Sequence, residues 1–199
     1  MTRELSHLDK EILLELARSS IQAQLNGDPL PDITISDYSD RLQEFGACFV
    51  TLTKKDMLRG CVGSIEATQP LVLDVRDRAV SAAFQDYRFP NLTAQELEEV
   101  SIEISCLSKP EELTYSSIDE LTLILRPGID GVILRDQTRR ATFLPQVWDQ
   151  LPKPEIFLER LCLKMGLDDM AWRSGLMKVE IYQVDKFGEG YQGNSTSSS

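Results

Sequence analysis

The sequence predicts an α+β fold, and three observations carry that expectation. Some stretches hold apolar residues at helical spacing, others alternate apolar and polar residues with a period of two, and the strand-like runs are joined by tight turns without regular βαβ alternation. Tight turns favour antiparallel pairing, so a mainly antiparallel sheet with flanking helices is expected.

Ser6 to Leu25 places Ile12, Leu13, Leu16, Ala17, Ile21 and Leu25 on one stripe, with Ser6 as N-cap, Asp9 three residues later and Gly27 as the stop. Pro29 and Pro31 forbid continuation, and a loop to about Asp40 follows. Ala47 to Thr53 is β-branched and aromatic, and the polar turn Lys54-Lys55-Asp56 sends the chain into a second apolar run that ends at Ile65. Leu71 to Asp86 returns to helical spacing and stops at Arg88-Phe89-Pro90.

Thr93 to Glu96 has the pattern of a capping box, and Val100, Ile102, Ile104 and Cys106 then alternate with Ser101, Glu103 and Ser105 as in a half-buried strand. Ser117 to Glu120 opens a helix that runs to Leu125. A hairpin follows, Gly131 to Arg135 and Ala141 to Leu144, across Asp136 to Arg140. Pro154 opens a helix closed by Gly166, and Val179 to Val184 forms a last strand. Residues 191–199 have nothing to bury and read as a disordered tail.

The 199 residues, 42% hydrophobic and 27% charged, suffice to bury a sizeable core. No apolar run approaches the ~20 residues of a membrane span, and no signal peptide is visible, so cytoplasmic residence is expected. With 21 Lys and Arg against 32 Asp and Glu, the net charge is −11, which repels phosphate backbones and makes nucleic acid an unfavoured partner. A local basic cleft can still hold an anion. His7 is the single histidine, which excludes a Ser-His-Asp or Cys-His engine elsewhere in the chain. Cys48, Cys61, Cys106 and Cys162 are spaced too widely for a redox pair or a zinc knuckle and read as reduced thiols. An all-carboxylate metal site stays open in a chain this rich in Asp and Glu, but no DxDxDG loop is present, and no metal or cofactor is expected.

Leu58 to Ser64 (LRGCVGS) carries the most unusual chemistry. Gly60 and Gly63 interrupt a strand-like run, which marks a bulge or a close approach by backbone or ligand. In a regular strand Arg59 and Cys61 share a face, so the guanidinium would activate the thiol and orient an anion; a packed cysteine beside a solvated arginine is the alternative. Asp86-Tyr87-Arg88-Phe89-Pro90 fits either a clamp for a planar or anionic ligand or an ion pair that staples a turn. Glu103 is the candidate base if its strand face lines a cleft. Thr142 to Trp148 places Phe143, Pro145 and Trp148 at a turn, as a core anchor or as a surface for a partner.

At these residues the chain resembles the AMMECR domain family, including the branch called AmmeMemoRadiSam system protein A. The resemblance is carried by LRGCVGS, by SAAFQDYRF at Ser81 to Phe89, IEISCLS at Ile102 to Ser108, RPGIDGV at Arg126 to Val132, TFLPQVW at Thr142 to Trp148 and FLERLCLKMGL at Phe157 to Leu167. It spans roughly residues 8–188, with Val62 where isoleucine is more usual. It implies a two-part fold, here expected as a larger part from 1–57 and 107–190 and a smaller one from 58–106. It also implies a Memo-like protein and a radical S-adenosylmethionine (SAM) enzyme as partners, which would hold the iron and cluster chemistry. The first functional expectation is then a cleft between the two parts for a small anionic or nucleobase-like ligand. Its lining would come from Gly60, Gly63, Arg88, Phe89 and Thr142, with Cys61, Arg59, Asp86 and Glu103 as the reactive groups. The second is a non-catalytic accessory that presents Phe143, Pro145 and Trp148 to those partners, and the third a nucleic-acid-binding regulator.

Overall fold

The first helix forms where its sequence signals place it. In the computed structural model, which describes residues 4–189, helix α1 (His7–Asn26) starts at a capping box between Ser6 and Asp9 and ends at Gly27 in the left-handed conformation, φ 75°. Its buried face carries Leu13, Leu16, Ala17 and Ile21. The following loop is more structured than expected, with a 3-10 turn at Ile35–Asp37 and a short helix α2 (Asp40–Gln43).

Strand β1 (Phe45–Lys54) and strand β2 (Met57–Gly63) form the expected hairpin, and its two central residues, Lys55 and Asp56, both take positive φ. That is the backbone of a tight two-residue turn, here built without glycine. A two-residue strand β3 (Gln69–Pro70) leads into α3 (Leu71–Phe84), and a one-turn helix α4 (Ala94–Leu97) leads into β4 (Val100–Leu107). The run expected as one last strand is two, β8 (Lys178–Tyr182) and β9 (Val184–Gly188), which break at Gln183 and belong to different sheets.

The first sheet has the order β2-β1-β4-β9, with β3 added on β1. On β1 and β4 the register pairs Cys48 with Cys106, Val50 with Ile104 and Leu52 with Ile102, all buried on one face. Helix α3 packs across β1 and β2, and α1 packs on α3 and β4. Side chains of this kind contribute about 1.5–3 kcal/mol each on full burial. The opposite face carries Phe49, Thr51, Thr53, Ser101, Glu103 and Ser105.

The second sheet has the order β5-β8-β6-β7, from β5 (Glu111–Glu112), β6 (Gly131–Arg135) and β7 (Arg140–Phe143) with β8. Its core is built with α5 (Ile118–Ile124) and α6 (Pro154–Lys164) around Val132, Leu134, Phe157, Leu161 and Trp172. Gly166, φ 79°, ends α6 as expected.

The chain therefore divides into two compact units, one from residues up to Leu107 together with those from Asp185 on, the other from Ser108 to Val184. The expected division at 57/58 does not hold. β2 is hydrogen-bonded along β1, so 58–106 is continuous with the N-terminal residues, while the second unit is the stretch between β4 and β9. Ser108 and Gln183 clasp the two crossing points: Ser108 N donates to Gln183 O at 2.9 Å and Gln183 N to Ser108 Oγ at 2.9 Å. Residues 191–199 lie outside the described residues. Among the described residues no helix is long and apolar enough to cross a membrane.

Gly60 makes the helix–sheet contact possible, because a Cβ there would stand 2.2 Å from the Ala82 carbonyl oxygen of α3. Gly60→Ala should force α3 off the strand and destabilise the protein by about 2–3 kcal/mol, read as a lowered midpoint in urea unfolding.

Candidate functional site

The two sequence stretches LRGC and DYRF meet at the edge of the first sheet. β2 is the outermost strand, so backbone groups on its far side need partners. The Cys61 amide donates to Asp86 Oδ2 at 2.9 Å, and the Cys61 carbonyl accepts from Arg88 Nη2 at 3.3 Å. Arg88 in turn grips Asp86 with two donors, Nε to Oδ1 at 2.9 Å and Nη2 to Oδ2 at 2.7 Å. The Asp86 side chain is 4% exposed, and hydrogen bonds from Arg88 and the Cys61 amide hold its carboxyl well below the usual carboxylate range. Of the two readings of DYRF the geometry displays the ion pair, which staples a turn and in doing so fixes the backbone of Cys61.

The Cys61 side chain is half-buried on the sheet face away from α3. Its register partner on β1 is Thr51, whose hydroxyl donates to Cys61 Sγ at 3.3 Å. Thr51 is also the register partner of Glu103 on β4, and Glu103 Oε2 pairs with Lys186 Nζ of β9 at 2.9 Å. A thiol, a hydroxyl, a carboxylate and an ammonium therefore run across four strands on one face. Strands lie about 4.8 Å apart, so Glu103 stands two strands, about 10 Å, from Cys61 and cannot take its proton directly.

Arg59 does not join this row, and the expected Arg59–Cys61 pair is corrected. The register slips after Leu52, which faces Gly60, while Thr53 faces Leu58; Arg59 is the extra residue of a β-bulge. Its side chain bonds Glu96 through Nε at 3.0 Å and Nη2 at 3.1 Å, and Nη2 also donates to the Pro90 carbonyl at 2.9 Å. Those bonds hold the Glu96 carboxyl down from 4.5 to about 2, with the Thr93 amide assisting. Glu96 is at the same time the residue that closes the capping box of α4. Phe89 lies between the two arginines, its ring centroid 5.9 Å from the Arg59 guanidinium and 5.5 Å from that of Arg88.

The glycines are accounted for by the protein itself. Gly60 admits Ala82, and a Cβ at Gly63 would meet the Cys48 carbonyl oxygen and the Phe49 ring, both at 2.4 Å. Thr142 belongs to the second unit, where its hydroxyl bonds Val132 O at 2.8 Å and the Tyr182 hydroxyl at 3.1 Å. The partner surface expected at Phe143, Pro145 and Trp148 is also corrected. Trp148 is 2% exposed, stacks on Phe157 with ring centroids 3.7 Å apart, and donates from Nε1 to Asp130 O at 2.7 Å. Pro145 is buried, and the half-buried Phe143 packs edge-on against the same Phe157.

Thr51 and Lys186 carry no signal of a site in the sequence, and Glu96 shows only its place in the capping box. Thr51 was legible as a polar position in the alternation of Ala47 to Thr53, but its place opposite Cys61 depends on a register that the bulge shifts. The other cysteines have different surroundings. Burial pushes the Cys106 thiol up to about 12 and raises that of Cys48 well above its ordinary value, and Cys162 is also buried.

Comparison with known proteins adds a family to this geometry. The family model described as AMMECR1 matches residues 14–187. A protein of Thermofilum pendens is 36% identical, covering 93% of this chain and 92% of the relative. One of Methanothermobacter thermautotrophicus is 35% identical, covering 93% and 96%. The crystal structure of an uncharacterized protein from Pyrococcus horikoshii aligns with a TM-score of 0.75 at 29% identity, covering 92% of both chains.

The Arg59–Glu96 pair is structural, and its removal should be felt as stability. Arg59→Ala should cost about 2–3 kcal/mol in chemical denaturation. Glu96 is depressed in the folded state, so its contribution is complete above pH 4.5 and is lost as the pH falls toward about 2. Glu96→Gln should flatten the acid limb of a stability-against-pH curve in that window.

Proposed function

The chain belongs to the AMMECR1 family, and from that premise we propose that it is the ligand-handling component of a three-part system with a Memo-like protein and a radical SAM enzyme. Its own contribution is to hold a small anionic or nucleobase-like ligand on the polar face of the first sheet, against Cys61. The single observation that carries this reading is the setting of Cys61. Its backbone is fixed at both the amide and the carbonyl by the Asp86–Arg88 pair, while its Sγ accepts a hydrogen bond from Thr51. The roughly 10 Å from Cys61 to Glu103, which pairs with Lys186 one strand further on, suits a small molecule lying across the strands. Arg88, 45% exposed beside Cys61, supplies a cation at one end of that span. Iron and cluster chemistry belongs in this reading to the partners.

A second reading, an accessory that presents a surface to the same partners, is favoured by Tyr87. Its side chain is 96% exposed between the two residues that hold Cys61.

Peptide-resolved alkylation of the folded protein should modify Cys61 well before Cys48 and Cys106. A Cys61 that reacts only on unfolding would overturn the ligand-handling reading. Reconstitution with the Memo-like and radical SAM proteins of the same organism separates the two readings. Cys61→Ser should abolish the joint activity while partner capture persists, whereas loss of capture in Tyr87→Ala with full activity of Cys61→Ser would establish the accessory role.

A further inference from the structure

The second unit carries a cationic groove that the reading above does not use. It has a volume of about 510 Å³ and is lined by Arg135, Arg139, Arg140 and Lys178, with Asp136 as the one carboxylate, and by Thr138 and Leu176 among others. In a chain of net charge −11 such a concentration of positive charge is against the average of the surface. The register sharpens the point. Arg135 of β6 is the direct partner of Arg140 on β7 and of Lys178 on β8, so three cations stand in one row on one face of three adjacent strands. Like charges directly opposite each other destabilise a sheet, and an anion bound across the row would relieve that repulsion.

Carboxylates border the groove without filling it. Glu180 reaches Arg135 at 3.7 Å, beyond hydrogen-bonding distance, Glu112 pairs with Lys178 at 3.0 Å, and Asp136 with Arg139 at 3.1 Å. Arg135, Arg139 and Lys178 remain about half exposed, at 47%, 47% and 54%. A guanidinium has five donors in a planar fork, and one carboxylate leaves several of them for a second oxyanion.

We propose that this groove binds a small molecule bearing a phosphate or diphosphate group. The anionic end lies across the Arg140–Arg135–Lys178 row, and the remainder of the molecule rests against Leu176, which is 84% exposed. A groove of this volume is in the range of small-ligand sites, and the carboxylates at its margin disfavour a long polyanionic strand over a compact anion. The site lies within the second unit and does not rest on the role given to Cys61.

Pyrophosphate titrated into the intact chain, followed by calorimetry, tests the proposal directly. Saturable binding of one equivalent is expected, weakened as salt is raised from about 50 to about 500 mM. Arg135→Gln and Lys178→Gln should each lose about ten- to a hundredfold in affinity with the unfolding transition retained. Cys61→Ser should bind as the parent does, so failure here is distinguishable from failure of the ligand-handling reading. Absence of saturation, or affinity unchanged in both variants, would overturn the proposal. Binding of single-stranded RNA much tighter than pyrophosphate, with a steep salt dependence lost in the same variants, would overturn it in favour of a nucleic-acid surface.

Discussion

The outer edge of β2 at Cys61 is the constraint on which the rest of the first unit depends. An edge strand exposes unpaired amides and carbonyls, and this one is finished by a carboxylate and a guanidinium in place of another strand. Asp86 reaches the Cys61 amide because α3 ends two residues earlier, and α3 lies close enough because Gly60 leaves no Cβ in front of Ala82. The missing side chain sets the position of the helix, the helix sets the carboxylate, and the carboxylate sets the strand. The Thr51–Cys61 contact on the far face follows from that sequence of constraints.

The same helix performs the operation twice. Asp74, fully buried on α3, accepts from the Cys48 amide at 3.0 Å and from its thiol at 3.3 Å, and Arg78 and Gln69 complete its bonds. A buried carboxylate without such partners would be prohibitively costly, so both anions are tied to backbone amides of adjacent strands and to an arginine. The difference lies in the thiols. Cys48 turns inward beside Asp74, where burial and the nearby anion raise its pKa, whereas Cys61 turns to the half-buried polar face. Two cysteines in similar backbone settings are thus placed on opposite faces by the pleat of the sheet, one buried and one half-buried.

What could be read from the sequence was what is decided locally. Ser6, Asp9 and Gly27 delimit α1, Thr93 and Glu96 cap α4, and the alternation from Val100 to Cys106 identifies β4, because caps and periodicity involve residues a few positions apart. What escaped depends on distant partners. The tight turn at Lys55 and Asp56 pairs β2 with β1, yet no local signal says that β4 joins the same sheet on the other side of β1 and so merges 58–106 into the first unit, or that the chain changes sheets at Gln183. Arg59 and Cys61 do not share a face because one bulged residue turns the arginine toward a different partner, and Glu96 offers no sign of its second duty beyond the capping box. Phe143 ends β7 and Trp148 lies in the 3-10 turn Pro145–Asp149 that follows, but whether this stretch faces solvent or core is settled by Phe157, which lies in α6.

Subtracting structural duties from the LRGCVGS stretch leaves an informative remainder. Arg59 holds Glu96 and the Pro90 carbonyl, Gly60 admits α3, Val62 packs against the core, Gly63 lies under Phe49, and Ser64 Oγ accepts from the Glu66 amide. Leu58 and the Cys61 side chain are left without such a task. Leu58 sits near the hairpin end of the strand, 44% exposed, where an isolated apolar residue is unexceptional. Cys61 is different, since its main chain is held by a carboxylate and a guanidinium drawn from another stretch of sequence, while its sulfur only accepts a weak bond from Thr51. Fixing the main chain narrows the freedom of the sulfur and keeps it beside Thr51. The thiol is therefore the group that the surrounding construction positions, whereas arginine and glycine, the more conspicuous residues of the stretch, are parts of that construction.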